Sequence, residues 1–361
     1  MDVGKLPNDL LASLLQRVHG RDPRVVIGPG IGRDAAVIDA GGPKLLVATT
    51  DPVTFATDMI GWYAVNVNAN DIACTGATPA WFLATVLQPE GASTAEAEAI
   101  FDQLVSACAK LDIELVGGHT EITQGLNRPI VVGALLGEVE RDRLVRPDGA
   151  TPGDALILTK GLAIEGTSVL AREAGGRLRG LGVSEVTIEL ARGYLSDPGI
   201  SVVLDARLAC DTARVHAMHD PTEGGLATAL HEMAAASRVG IALDRDSVSV
   251  FPATTEICEA AGLDPLGLLA SGALLIAVAE ADCPAVLSAL ADSDVPTERI
   301  GSLVSQASGV IMGDKRGRSK AVVPAGSDRM VPRFDRDEVA RFLTEPVITK
   351  EHRGRAEAPN D

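Results

Sequence analysis

The segment from Gly28 to Asp71 constrains this chain more than any other. It holds a glycine loop, Gly28-Pro29-Gly30-Ile31-Gly32, followed by Arg33-Asp34-Ala35-Ala36-Val37-Ile38, Leu46-Val47-Ala48-Thr49-Thr50-Asp51 and Asn66-Val67-Asn68-Ala69-Asn70-Asp71. Asp34, Asp51 and Asp71 thus sit at the edges of otherwise apolar elements. Ala35 to Ile38 and Leu45 to Thr49 are short and apolar or β-branched, and Asp39-Ala40-Gly41-Gly42-Pro43 separates them as a turn, which reads as a hairpin. A turn centred near Gly42 pairs residues whose numbers sum to about 85, setting Asp34 opposite Asp51. Like charges there repel. Either one carboxyl is protonated or a cation holds both, and scattered carboxylate oxygens suit Mg²⁺ or Ca²⁺ better than zinc.

The rest of the composition limits what surrounds such a site. A chain of 361 residues that is 46% hydrophobic has room for two ordinary domains with real cores. Aromatic residues supply only 3%, so those cores are built from Ala, Val, Leu and Ile, which suits sheets covered by helices. A formal charge of −17 argues against a general nucleic-acid partner. The cysteines, Cys74, Cys108, Cys210, Cys258 and Cys283, form no Cys-x-x-Cys pair, so neither a disulfide framework nor a structural zinc site is indicated. The start lacks a secretory pattern, and the most apolar window, Leu266 to Ala279, is too short for a bilayer and carries Gly267, Ser271 and Gly272. The expectation is a soluble, cytoplasmic protein with no membrane partner.

Periodicity places helices at 6–19, about 58–76 and about 94–111, the last with a capped start at Ser93-Thr94-Ala95-Glu96. On a helical wheel Asn66, Asn70 and Asp71 occupy one broad face of the second of these. Strands are read at 24–27, 80–87, 113–116 and 129–139, and the turn formers from Arg146 to Asp154 mark a boundary. The organisation is therefore α/β (α+β), with domains at 1–150 and 151–325 and a terminal helix and tail at 326–361. In the second domain, helices are expected at about 164–173, 196–210, 225–237, 254–261, 283–292 and 335–343. Strands are expected at 155–159, 241–243 and 273–278, and residues 351–361 read as disordered.

Two further motifs carry alternatives. Asp220-Pro221-Thr222-Glu223-Gly224-Gly225 puts an aspartate after a strand and two glycines at a helix start, which serves either ordinary capping or an anion cradled by N–H groups. Gly117-Gly118-His119-Thr120-Glu121 is either a strand-end turn or a site loop. His216, His219 and His231 lack an evident fourth zinc ligand. Cys74 reads as a small buried thiol.

Taken in order, Gly32-Arg33-Asp34-Ala35-Ala36-Val37, Thr49-Thr50-Asp51, Asn70-Asp71-Ile72-Ala73, Gly117-Gly118-His119-Thr120 and Asp220-Pro221-Thr222-Glu223-Gly224-Gly225-Leu226 resemble a known ATP-binding superfamily. Its members include aminoimidazole ribonucleotide (AIR) synthase, selenophosphate synthetase, thiamine-monophosphate kinase and the hydrogenase-maturation protein HypE. The Asp-Pro-Thr-x-Gly-Gly-Leu-Ala segment is most similar to HypE. The resemblance implies an N-terminal domain that pairs with a second subunit of a homodimer to form a β-barrel, covered by a C-terminal α/β domain, with ATP on Mg²⁺ in the cleft. It implies Asp34, Asp51, Asp71 and Asp220 as metal ligands and Asp51, Asp71 and Asp220 as catalytic. Gly28, Gly30, Gly32, Arg33, Asn70, Gly117, Gly118, His119, Thr120, Gly224 and Gly225 would be cofactor-binding.

Such enzymes phosphorylate an oxygen of a small molecule, commonly of an amide-like group. The expectation here is an ATP- and Mg²⁺-dependent enzyme acting on a carbonyl, amide or phosphate oxygen. The alternatives are a non-catalytic nucleotide-binding subunit or a metabolite kinase of the thiamine-monophosphate type. Two departures stand out: Arg33 occupies a place where relatives often carry another acid, and the last cysteine is Cys283, whereas HypE carries its reacting group on a C-terminal cysteine. Dehydration of a group on its own tail is therefore not expected. No cysteine precedes the Gly28 loop as selenophosphate synthetase would require.

Overall fold

Two six-stranded sheets organise the chain in a computed structural model that describes residues 6, 8–20, 22–313, 330–334 and 336–345. The first half runs α1 (Asn8–Leu15), β1 (Val25–Ile27), β2 (Ala36–Ile38), β3 (Lys44–Val53), α2 (Ile60–Ala73), β4 (Thr78–Pro89), α3 (Thr94–Lys110), β5 (Glu114–Thr123) and β6 (Ile130–Glu140). Its strands lie in the order β1-β2-β3-β6-β4-β5. Strands β4 and β6 alternate buried and half-exposed residues, and Phe82, Val86, Val131 and Leu135 turn inward to share one core with Tyr63 and Ile72 of α2. α3 starts on a capping box in which Ser93 and Glu96 each satisfy the other's backbone N–H.

The second half runs β7 (Ala155–Thr159), α4 (Ile164–Glu173), α5 (Gly175–Gly180), α6 (Glu185–Gly193), α7 (Val203–Thr212), β8 (Val215–His219) and α8 (Gly225–Ser237). It continues with β9 (Gly240–Asp244), α9 (Pro252–Ala261), β10 (Leu275–Val278), α10 (Cys283–Ala291), β11 (Thr297–Val304), β12 (Val310–Gly313) and α11 (Glu338–Thr344). The sheet order is β12-β9-β11-β7-β10-β8. Every residue of β7 and β10 is buried, because helices cover both faces of this sheet, and both strands accordingly read as unbroken apolar runs.

The mixed α/β, two-domain architecture agrees with the sequence. The details differ at identifiable places. The Gly- and Arg-containing passage after α4 forms α5 and α6, the latter capped by Ser184 and held by Ile188 and Ala191 in the core. The helix expected at 196–210 begins only at Val203, since Pro198 and the extended backbone of Asp197 interrupt Leu195–Gly199. Gly117 to Glu121 continue β5 as a strand: Gly118 has φ 147° and runs so close to Ala84 that a Cβ would lie 1.9 Å from its carbonyl oxygen. The tail expected to be disordered, 351–361, lies outside the described residues.

The two halves are joined by polar contacts, buried at Asn70 and partly exposed at Arg172 and Glu173. Asn70 of α2 donates from Nδ2 to the carbonyl of Ile200 at 2.8 Å and accepts from the N–H of Val202 at 2.8 Å. Glu173 at the end of α4 accepts from the N–H of Thr57 at 2.7 Å, and Arg172 pairs with Asp58 at 2.5 Å. Because Asn70 is wholly buried, removing its amide strands a donor and an acceptor together. Asn70→Ala is expected to lower unfolding stability by roughly 2–5 kcal/mol, read as a shifted urea midpoint with an unchanged slope.

Candidate active site

The seam between the halves gathers the four aspartates singled out in the sequence. Asp71, on the inner face of α2, is 5% exposed and accepts a 2.6 Å hydrogen bond from Thr49 Oγ1 of β3. The same hydroxyl lies 3.0 Å from the carbonyl of Asp34, so one threonine ties the Asp34 loop to α2. Asp220, at the end of β8, is 1% exposed and accepts from Cys74 Sγ at 3.7 Å. Burial first, and then the charges of Asp220, Asp51 and Asp34, push the Asp71 carboxyl well above the usual carboxylate range. The four acids are thus close enough to resist simultaneous ionisation.

The hairpin register differs from the expected one. Ala36 pairs with Ala48 and Val37 with Val47, so continuing the ladder sets Asp34 opposite Thr50, one residue short of Asp51. Asp51 is not at a strand end either. β6 pairs along the whole of β3 and places Gly133 opposite Asp51, extending the strand past the hairpin. A one-residue slip exchanges the faces of a strand, and the observed register puts Thr49 and Asp51 together on the side facing α2. Asp34 reaches the cluster from the loop instead.

The polar face of α2 also divides differently. Asn68 and Asp71, three residues apart, face β3, where Asn68 Oδ1 accepts from the N–H of Asp51 at 3.0 Å. Gly133 leaves room for this amide: a Cβ there would stand 2.3 Å from Asn68 Nδ2. Asn70 spends both of its amide atoms on the segment before α7 and none on the aspartates. Asn66 bonds back to Trp62 in its own helix at 2.8 Å. The signal for Asn68 was its three-residue spacing from Asp71.

His219, weighed in the sequence only as a zinc ligand, meets two carboxylates instead. Its Nδ1 lies 3.0 Å from Asp34 Oδ2 and its Nε2 3.0 Å from Glu232 Oε2 of α8. Only a doubly protonated ring donates to both carboxylates. Burial opposes that charge, but Asp34 and Glu232 outweigh it and hold the imidazole well above its usual pKa. The histidines do not converge: His216 pairs with Asp154 at 2.8 Å and His231 contacts the carbonyl of Val331 at 3.2 Å. Candidate ligand atoms of Asp34, His219 and Asp220 all lie within 4.8 Å of one another.

The glycine loop rests on the same helix. Gly32 takes φ 67° and approaches the Glu232 carbonyl so closely that a Cβ would meet it at 3.0 Å. Arg33 curls over the loop, with Nη1 donating to the carbonyl of Gly28 at 3.0 Å and its stem where a side chain on Gly30 would sit. At the start of α8 the N–H of Gly224 donates to Asp337 Oδ2 at 2.7 Å, and that of Gly225 to the carbonyl of Thr222 at 2.9 Å. The cradle expected there thus holds a carboxyl group supplied by the chain itself. Gly117, Gly118, His119 and Thr120 lie on exposed β5, and His119 faces Glu121 at 3.1 Å instead of the aspartates. Cys74 is buried, and burial, then Asp220, drives its thiol pKa well up, so it is an inert donor.

Two further acids near the seam stay protonated into the neutral range. Burial lifts Glu165, in the first turn of α4, to about 8, with Glu223, Asp337 and Asp220 adding to the effect. Burial also lifts Asp337, before α11, to about 7 against the pull of its backbone hydrogen bonds. With folded values above unfolded ones, the native state retains protons that the unfolded chain has released, so both groups cost stability as pH rises from the ordinary carboxylate range toward 8. The urea midpoint is expected to fall over that interval, and Glu165→Gln to flatten the fall by an amount on the order of a few kcal/mol.

Known proteins share the two-domain architecture. The family model for the N-terminal domain of AIR synthase related proteins matches residues 32–139, and that for the C-terminal domain matches 151–314. The carbamoyl dehydratase HypE of Cupriavidus necator is 29% identical over 278 residues, covering 75% of this chain and 76% of its own. A thiamine-monophosphate kinase of Rhodopirellula baltica is 31% identical over 318 residues, covering 81% of this chain and 89% of its own. In fold the chain is similar to a crystal structure of HypE in complex with ATP, at a TM-score of 0.68 and 24% identity over 87% of this chain and 92% of that one. The chain belongs to the family of AIR synthase related proteins and carries both of its domains.

Proposed function

We propose that the protein is an ATP- and Mg²⁺-dependent enzyme that transfers a phosphoryl group to an oxygen of a small molecule. The observation that carries this reading is the convergence of Asp34, Asp51, Asp71 and Asp220 from both halves, where burial first and then the charges of the other three push the Asp71 carboxyl up. An all-oxygen donor set under that repulsion fits a hard divalent cation. Asp34, Asp51, Asp71 and Asp220 would hold magnesium there, and its charge would offset the negative charge of the reacting phosphates. Around it, Thr49 fixes Asp71, Asn68 fixes the backbone of Asp51, and Glu232 through His219 fixes Asp34. Arg33 braces the glycine loop beside them. The similar proteins support the same chemistry, one crystallised with ATP and another a kinase.

A homodimer is part of the proposal. The face of the first sheet turned away from α2 carries Leu46, Leu83 and Leu136 only half covered, with Trp81 37% exposed nearby and most of β5 open at the edge. A second copy fits such a face.

Calorimetry of an ATP analogue is expected to show Mg²⁺-dependent binding. Asp51→Asn and Asp71→Asn should weaken it at least tenfold and reduce turnover by roughly a hundredfold or more. Equal binding by both variants and the wild type would sink the idea. Labelled phosphate recovered in a stable organic product marks a kinase, whereas free phosphate marks dehydration or ring closure. In sedimentation, Leu83→Glu should shift a wild-type dimer toward monomer, and a dimer indifferent to that charge would refute the proposed face.

A further inference from the structure

Asp220 joins the cluster from the head of a turn whose backbone is unusually free. After Asp220 and Pro221 the chain passes through Gly224 into Gly225, the first residue of α8, at φ 78° and 60°. Two successive left-handed residues reverse the chain within a few atoms, and glycine, lacking a Cβ, takes up other shapes as readily. Close packing explains why both are glycine: a Cβ on Gly225 would lie 2.5 Å from the Leu266 carbonyl oxygen, and one on Gly224 2.1 Å from Thr228 Oγ1. The course of such a turn depends on the partners of its backbone groups.

One of those partners comes from the last described helix. Asp337 Oδ2 accepts from the N–H of Gly224 at 2.7 Å, and its Oδ1 accepts from the N–H of Val339 in the first turn of α11 at 2.7 Å. The N–H of Leu269 adds a smaller pull on the same carboxyl, and Leu269 follows directly on the segment against which Gly225 presses. A single side chain, 3% exposed, therefore joins the Asp220 turn, the 266–269 segment and α11. The stretch that carries it is itself held down. Phe334 stands where a side chain on Gly267 would be, Glu338 Oε2 accepts from the N–H of Asp264 at 3.2 Å, and Arg341 Nη2 donates to the carbonyl of Gly262 at 2.7 Å. Val339 and Phe342 are buried in the core.

Ordinary capping of α11 accounts for the bond to Val339 and leaves the bond to Gly224, across 113 residues of chain, without a role. Gly224 lies four residues after Asp220, so the place of its N–H fixes the path by which the turn leaves the aspartate. Groups that bind a cation work only when held to within about half an ångström of their productive place, and the partners behind them set how tightly they bind. We infer that Asp337 is a positioning residue for the cation site: it anchors the turn that presents Asp220, and α11 is thereby part of the active site. None of its hydrogen bonds goes to the four aspartates, so it acts through the backbone of the turn. The cation in question is the magnesium of the phosphoryl-transfer reading, on which this inference rests.

The test follows binding of a non-hydrolysable ATP analogue to the full-length protein by calorimetry over a series of Mg²⁺ concentrations. An amide accepts on one side only, so Asp337→Asn keeps one of the two bonds and loses the other. It is expected to raise the Mg²⁺ concentration for half-maximal binding by about fivefold to tenfold, with binding recovered at high Mg²⁺ and a cooperative thermal transition retained. Asp337→Ala should raise it further, and if that variant does not fold, Asp337→Asn carries the comparison. Arg341→Ala loosens α11 at its Gly262 end instead, and should lower the thermal midpoint without moving the Mg²⁺ requirement. An unchanged Mg²⁺ requirement in Asp337→Asn would overturn the inference. So would an equal shift in Arg341→Ala, because Asp337 would then only tie down α11. A variant that matches a Mg²⁺-dependent wild type removes this inference alone. Wild-type protein that binds the analogue without regard to Mg²⁺, or not at all, removes the phosphoryl-transfer reading and this inference with it.

Discussion

Mutual repulsion among carboxylates held out of water is the constraint around which this structure is arranged. Asp71 and Asp220 are each nearly inaccessible, and Asp34 and Asp51 stand close enough to raise Asp71 further. Such a cluster survives in a folded chain only if protons, fixed cations or a bound metal balance it. The fold supplies one fixed charge in His219, clamped between Asp34 and Glu232. Under the function proposed above, a divalent cation would offset the rest.

That balance requires both halves of the chain. Asp34, Asp51 and Asp71 come from the first sheet and α2, whereas Asp220, His219 and Glu232 come from β8 and α8. Their relative position is set by contacts outside the cluster: Asn70 on the segment before α7, and Glu173 with Arg172 on the loop after β3. A change at the seam therefore reaches the site without touching a carboxylate. The same organisation places Asp337 at the N-terminus of α8, where it accepts from the Gly224 N–H and ties α11 to the motif that follows β8.

Much of this was readable in the residues. The capping box at Ser93 and Glu96, the unbroken apolar runs of β7 and β10, and the lone aspartates in apolar surroundings all report local physics, and each lies where the chain indicates. The misread features depend on partners far away in sequence. The slip between Asp34 and Asp51 follows from β6 pairing along all of β3, and Asn68 rather than Asn70 meets Asp51 because Gly133 leaves it space. Gly117 to Glu121 became strand because β4 offers a parallel edge. α6 formed in a polar passage because α4 and α9 gave Ile188 something to pack against.

By itself the sequence determined the two-domain α/β organisation, the family and the set of carboxylates, since periodicity, turn chemistry and the order of motifs are properties of the chain alone. Only the tertiary structure decided which polar groups face each other: that His219 bridges Asp34 and Glu232, that Asp337 fills the glycine cradle, and that Glu165 and Ser271 line one cavity with Asp51. Burial and proximity set those roles, and both are created when the two sheets close on one another. The stretch from Gly28 to Asp71 specifies half of a site whose remaining half arrives with β8, α4 and α8.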